Sequence, residues 1–104
     1  MSVLHLTAEN FKSTIENTSK PVLVDFFADW CMPCKMFAPI LEKVAEKIGD
    51  DAVIAKINID EAEAIAMEYK VMSIPTIILF KDRTEKQRHV GGMSAGEVLN
   101  MIND

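Results

Sequence analysis

The chain has 104 residues and carries 11 basic and 16 acidic side chains, which gives a formal net charge of −5. Its length and its 49% apolar content fit one folded domain over residues 1–104 and exclude a disordered or collagen-like chain. The acidic balance argues against nucleic acid or an anionic membrane as a partner, and there is neither a membrane-spanning apolar run nor a secretory signal, so we expect a cytoplasmic protein.

The first half of the chain predicts two strands and two helices. Residues 3–6 form a short strand by prediction, and Thr7 is the expected N-cap of a first helix. The apolar face of that helix comprises Ala8, Phe11 and Ile15. Residues 22–28 are nearly all apolar, which is typical of a strand buried on both faces. A second helix follows, with an expected kink at Pro39 and an end at Gly49. Its apolar stripe comprises Phe37, Ile40, Leu41, Val44 and Ile48.

The second half predicts three strands and two helices. Strands are expected at residues 52–59 and 76–80, and the charged segment 86–90 predicts a last strand at the edge of a sheet, after a hairpin turn at 82–85. The third helix has an apolar face of Ala62, Ile65, Ala66 and Tyr69. The last helix follows a Ser94-x-x-Glu97 capping box and buries Ala95, Val98, Leu99 and Ile102. The order β-α-β-α-β-α-β-β-α predicts an α/β fold, with a largely parallel central sheet covered on both faces and extended by the final hairpin.

The two cysteines lie at the predicted start of the second helix, in the segment Cys31-Met32-Pro33-Cys34. A disulfide framework needs more cysteines, and a bridge across so short a loop would stabilise the fold little. A helix N-terminus favours a thiolate, and Pro33 is tolerated in a first turn, where it helps to keep the two sulfurs close. The segment therefore predicts a redox-active pair.

Metal binding is the main structural alternative for these cysteines. A closed zinc site needs four ligands, and neither His5 nor His89 has a partner at ligand spacing. Covalent haem attachment would need a histidine at position 35, where the chain has Lys35. We therefore predict no metal and no organic cofactor.

The segments around the cysteines, and several others along the chain, resemble the thioredoxin family. The matching segments are residues 24–36, 38–41, 56–60, 74–76 and 90–92. The resemblance implies a thioredoxin fold, with a mixed five-stranded sheet flanked by four helices. It also implies a monomeric protein-disulfide reductase that is re-reduced by a thioredoxin reductase. In such a protein, Cys31 attacks the disulfide of a substrate protein and Cys34 resolves the mixed disulfide.

Asp25 interrupts the apolar strand that precedes the cysteines. If this carboxylate is buried, its pKa is raised. The alternative is that strand alternation turns Asp25 to solvent, as an ordinary surface aspartate. The resemblance implies that Asp25 is buried behind Cys34 and exchanges a proton with it. It also places Lys56 near the carboxylate, although Lys56 could equally be an ordinary surface lysine.

The resemblance also implies a substrate-docking surface. From sequence alone Pro75 would be trans, but the segment Ile74-Pro75-Thr76 matches the family's cis-proline loop, whose backbone could pair with an extended substrate. The expected docking residues are Trp30, Met32, Pro33, Ile74, Pro75, Gly91, Gly92 and Met93.

Three features depart from the family pattern. Met32 replaces the usual glycine and leaves the redox potential open, and Phe27 stands where many members have tryptophan. Met72 and Met93 join Met32 on the three loops expected around the nucleophile. We hypothesise a methionine-lined docking patch, against the alternative that Met72 and Met93 merely fill gaps in the core. Two other functions stay open, an oxidant or isomerase of higher potential and a redox-controlled binding module.

Overall fold

The computed structural model describes residues 2–104 and contains the nine elements of the predicted order. The strands are β1 (Leu4–Leu6), β2 (Val22–Phe27), β3 (Val53–Asn58), β4 (Thr76–Lys81) and β5 (Thr84–Val90). The helices are α1 (Phe11–Glu16), α2 (Met32–Ile48), α3 (Glu63–Glu68) and α4 (Ala95–Asn103), and a short 3-10 turn (Gly49–Asp51) follows α2.

The five strands form one mixed sheet in the order β1-β3-β2-β4-β5. β1, β3 and β2 are parallel, and β4 is antiparallel to both β2 and β5. The mixed five-stranded sheet with four helices that the resemblance implied is therefore confirmed, although fewer strand pairs are parallel than the element order alone suggested. The register pairs Phe27 with Asn58 and Phe26 with Thr76. β3 therefore ends, and β4 begins, at the same edge of the sheet, because the short α3 does not carry the chain back to the opposite edge.

Both faces of the sheet are buried, which explains why β2 is apolar at nearly every position. Leu23 faces a core cluster built from α2 and α4, whereas Val24 and Phe26 face a second cluster built from α1 and α3. Because side chains alternate along a strand, Asp25 shares the face of Leu23 and lies under α2. The aromatic ring of Phe11 on the other face is 5.9 Å from that of Phe26, measured between centroids.

The start of the first helix differs from the prediction. α1 begins at Phe11 with Asn10 as its N-cap, so Thr7 is not the cap and Ala8 precedes the helix. The backbone N–H of Thr7 donates to Asn10 Oδ1 at 2.8 Å, and the N–H of Asn10 donates to Thr7 Oγ1 at 3.3 Å. These reciprocal bonds have the pattern of a capping box. Together with the bond of 3.1 Å from the N–H of Phe11 to the carbonyl of Thr7, they close a single turn that leads into α1.

The final hairpin is tighter than predicted. β5 begins at Thr84, and only Asp82 and Arg83 form the turn, with φ angles of 53° and 68°. Two positive φ angles are typical of a type I′ turn, which matches the twist of the flanking strands even though neither residue is glycine. The capping box of Ser94 and Glu97 at the start of α4 is confirmed.

Candidate functional site

Cys31 and Cys34 form a disulfide at the N-terminus of α2, with their Cα atoms 5.2 Å apart. Cys31 is the N-cap of the helix, and its Sγ accepts a hydrogen bond from the backbone N–H of Cys34 at 3.2 Å. Pro33 occupies the first turn, where its missing N–H costs no helical bond. In the reduced protein, this hydrogen bond and the positive end of the helix dipole would both favour a thiolate at Cys31.

The loop before β4 packs against the disulfide. The Ile74–Pro75 peptide bond is cis, as the resemblance implied, and Cys31 Sγ lies 3.8 Å from the carbonyl oxygen of Ile74. The carbonyl of Pro75 accepts a hydrogen bond of 2.8 Å from the N–H of Gly91. Gly91 has a φ of +99°, a conformation in which a side chain would be strained. Three separate segments of the chain therefore meet at the cysteines.

Asp25 is buried, with 1% of its surface exposed, so the alternative of a solvent-facing carboxylate is wrong. Its Oδ1 atom has no hydrogen-bond partner among the described residues 2–104. Burial raises the pKa of Asp25 from 3.8 to about 7, although the positive charge of Lys56 lowers it somewhat. This carboxyl group can therefore change its protonation state near neutral pH.

Lys56 is the direct neighbour of Asp25 across the β2–β3 pair. Its side chain is half-buried, and its Nζ atom lies 4.6 Å from the centroid of the Phe27 ring. The ammonium group packs against this ring and acts on the carboxylate through space. Lys56 therefore lies beside the buried acid, where the resemblance placed it.

A cleft of about 300 Å³ connects Cys34 with solvent on this side of the molecule. Its walls include Phe27, Ala28, Ala38 and Lys56. Because Asp25 shares the face of these β2 and β3 residues, the cleft lies on the side of the sheet that holds the buried carboxyl group. The cleft therefore opens this side of α2, next to Cys34, to solvent.

The eight predicted docking residues lie on the three segments that meet at the disulfide. Met32 and Pro33 are the first residues of α2, Trp30 precedes its N-cap, and Ile74 and Pro75 precede β4. The other three connect β5 to α4 and are Gly91, Gly92 and Met93. Trp30 is 69% exposed, which rules out a core role, and its Nε1–H donates to Asp60 Oδ2 at 2.8 Å.

The exposed fractions of the three methionines support a methionine-lined patch for Met32 and Met72, but only in part for Met93. Met32 and Met72 are 63% and 91% exposed, so Met72 does not fill a core gap. Met93 is half-buried and packs against the core cluster beneath α2, so for Met93 the packing alternative holds in part. Met36, which the docking prediction did not include, is 70% exposed. Its spacing of four residues from Met32 was the available signal, because residues four apart share a helix face.

Asp60 was also missed as a partner of the site. Nothing in the sequence links it to Trp30, because the two residues are thirty positions apart and meet only in the folded chain. Within residues 2–104 no group of three or more His, Cys, Asp and Glu side chains is placed to hold a metal ion. Over the same range, no helix is long and apolar enough to cross a membrane.

Comparisons with known proteins all point to one family. The family model described as "Thioredoxin" matches residues 2–104. A thioredoxin of Mycolicibacterium smegmatis is 45% identical over 101 residues, which cover 95% of this chain and 90% of the relative. A thioredoxin of Acidithiobacillus ferridurans is 41% identical, with coverage of 98% and 94%. A crystal structure of chloroplastic thioredoxin z superposes with a TM-score of 0.91 at 26% identity, covering 99% of this chain and 93% of that one.

Proposed function

The chain belongs to the thioredoxin family of protein thiol–disulfide oxidoreductases, and we propose how its residues divide the work of reducing protein disulfides. The Cys31 thiolate attacks one sulfur of a substrate disulfide, which forms a Cys31–substrate mixed disulfide and releases the other substrate sulfur as a thiolate. The Cys34 thiolate then attacks Cys31 Sγ, releases the second substrate thiolate and leaves the Cys31–Cys34 bridge. Two electrons pass from the cysteine pair to the substrate.

The observation that carries this proposal is the position of Cys31 at the N-cap of α2. The sulfur that caps the helix is the one that accepts the N–H of Cys34. Such a sulfur is stabilised as a thiolate and becomes both a better nucleophile at neutral pH and a better leaving group. Cys34 lies one helical turn further on. Because Cys31 and Cys34 are both buried, with 5% and 3% of their surfaces exposed, the N-cap position and not the exposure distinguishes Cys31 as the proposed nucleophile.

Asp25 is the proposed proton acceptor for Cys34. Its buried carboxyl group has a pKa of about 7, so it is roughly half ionised at neutral pH and can both take and return a proton. The proposed role of Lys56 is to keep this pKa from rising further, because its positive charge favours the carboxylate. The cleft beside Cys34 and Lys56 supplies the route by which the proton reaches water.

The surface that receives the substrate is proposed to be the junction of the three segments at the disulfide. The carbonyl of Ile74, 3.8 Å from Cys31 Sγ, is placed to pair with an extended substrate backbone beside the attacked sulfur. The exposed rings and methyl groups of Trp30, Met32 and Pro33 would cover the substrate on one side. The other side of the substrate would be covered by Gly91, Gly92 and Met93. Pro75 is buried beneath this surface, and its carbonyl accepts a hydrogen bond from the N–H of Gly91.

We further propose that the chain is a monomeric single-domain protein of the cytoplasm and that a thioredoxin reductase restores its dithiol. The electron donor could be a flavin-containing, NADPH-dependent reductase or a ferredoxin-linked one. The test is reduction of insulin disulfides with each reductase and with dithiothreitol as the control donor. Activity with dithiothreitol but with neither reductase would contradict the reductase assignment.

Two further measurements distinguish the two other functions. An equilibrium potential well above that of the glutathione couple would favour an oxidant or isomerase, and the difference in potential between the wild type and Met32→Gly measures what Met32 does to the pair. A double variant, Cys31→Ser with Cys34→Ser, that keeps its biological activity would favour a binding module. For a reductase, we expect that variant to lose all insulin reduction.

A further inference from the structure

We propose that a groove between α2 and the start of α4 extends the docking surface of this oxidoreductase away from the disulfide. It would bind an apolar side chain, next to a basic one, in the same partner protein whose disulfide Cys31 attacks. This proposal rests on the proposed function and names part of its substrate class. The groove is lined by Pro33, Met36, Ile40, Gly92, Met93 and Glu97.

The groove is apolar and open to solvent. Met36 is 70% exposed, Ile40 and Met93 are half-buried, and the buried ring of Phe37 lies at the base of the groove. Apolar surface that stays accessible at a rim of polar groups is typical of a protein-binding site. Thioether side chains are flexible and polarisable, so Met36 and Met93 can adapt to apolar side chains of different shapes.

The charge of the groove indicates which kind of residue should stand next to the apolar residue in the partner protein. Among the described residues that line it, Glu97 alone is charged. Its Oε1 atom accepts the N–H of Ser94 in the capping box, at 2.9 Å, and Oε2 is left for a cation of the partner. The whole chain carries a net charge of −5, which also favours a basic segment over an acidic one.

The groove is continuous with the surface at which the reaction must take place. Pro33 stands between the two cysteines and lines one end of the groove, and Gly92 lines the opposite wall. An α-helix rises about 1.5 Å per residue, so Ile40 lies roughly 13 Å from Cys31 along α2. An extended partner chain advances about 3.3 Å per residue, and a side chain two to four residues from the attacked cysteine would therefore reach the groove.

The first experiment compares a protein disulfide with a disulfide too small to reach the groove. For Met36→Glu, we expect the ratio of kcat/KM for insulin to that for hydroxyethyl disulfide, which is small and uncharged, to fall about tenfold. The matched control is Met67→Glu, because Met67 is 78% exposed on α3 and does not line the groove. The conservative variant Met36→Leu should keep the wild-type ratio. An unchanged ratio in Met36→Glu, or an equal fall in Met67→Glu, would overturn the proposal.

The second experiment tests the chemistry of the occupant. The substrates are disulfide-linked peptides that carry a Leu-Lys pair two, three or four residues before or after the cysteine. For each of them, a matched partner peptide carries Ser-Glu at the same two positions. We expect at least one placement to raise kcat/KM about tenfold over its partner, and the uncharged variant Met36→Ser to reduce that gain at least threefold. The proposal fails if no placement helps or if the gain is unchanged in Met36→Ser. Failure of the proposed function itself would be distinct, because the wild-type protein would then reduce neither insulin nor the small disulfide.

Discussion

Replacement of Asp25 by alanine should stabilise the protein at high pH and not at low pH. The pKa of Asp25 is about 7 in the folded chain against 3.8 without burial. At pH values between 3.8 and about 7, the carboxyl group of Asp25 is ionised in the unfolded chain but protonated in the folded chain. The free energy of unfolding of the wild type therefore falls as the pH rises through this range. A difference of about three pKa units at about 1.4 kcal/mol each amounts to about 4 kcal/mol, reached above pH 7. The Asp25→Ala variant has no carboxyl group at this position, so its free energy of unfolding should not fall in this way.

The assay is urea denaturation of the oxidised proteins at a series of pH values from 4 to 9. The free energy of unfolding of Asp25→Ala minus that of the wild type should be smallest near pH 4, rise through the window from 3.8 to about 7 and then level off. Asp25→Asn should show the same rise, with a different constant offset because its amide must find hydrogen-bond partners. Asp51→Ala, at an exposed position, should change stability within about 0.5 kcal/mol. A difference that is constant with pH, or that falls as pH rises, would refute the desolvation argument.

Three further predictions concern the same site. Cys34→Ser should accumulate a mixed disulfide between Cys31 and insulin, visible on a non-reducing gel, and turnover at the wild-type rate would contradict the resolving role of Cys34. Lys56→Met should raise the pKa of Asp25 above about 7, because a favourable charge is removed, and NMR titration of the carboxyl carbon measures it; a lower value would be inconsistent. Gly91→Ala should lower the free energy of unfolding by about 1–2 kcal/mol because of its φ of +99°, measured by urea denaturation, whereas Gly92→Ala, without a positive φ, should cost less.

The sequence predicted the elements of the fold well where the pattern was periodic. The stripe of α2, the capping box at Ser94 and the apolar β2 all have local signals, and each element lies within a few residues of its predicted bounds. The predictions failed where local patterns compete or where distant segments decide. The turn of Thr7 and Asn10 displaced the start of α1, and the direction of β4 depended on where α3 returns the chain to the sheet.

The residues of the candidate site could be predicted in part from the sequence. The cysteine pair and the embedded Asp25 could be recognised from the residues, and the family resemblance supplied Lys56 and the cis conformation before Pro75, both found in the structure. The exposure of Met36 and the packing of Met93 could not be predicted. Whether a methionine faces solvent or core depends on the neighbouring element packed against it, and the spacing of methionines along the chain does not report this.

The amino-acid order alone was enough to predict the proposed chemistry, from two cysteines at a helix start, directly after an apolar strand that contains one carboxylate. Those features are local, because helix and strand periodicities and capping act over a few residues. Which distant groups surround the cysteines depends on how the chain packs in three dimensions. This packing brought Ile74 to within 3.8 Å of Cys31, forty-three positions away, and set Lys56 beside Asp25. Such contacts arise when the sheet and helices pack around a shared core, and the pKa of Asp25 depends on the burial that this packing produces.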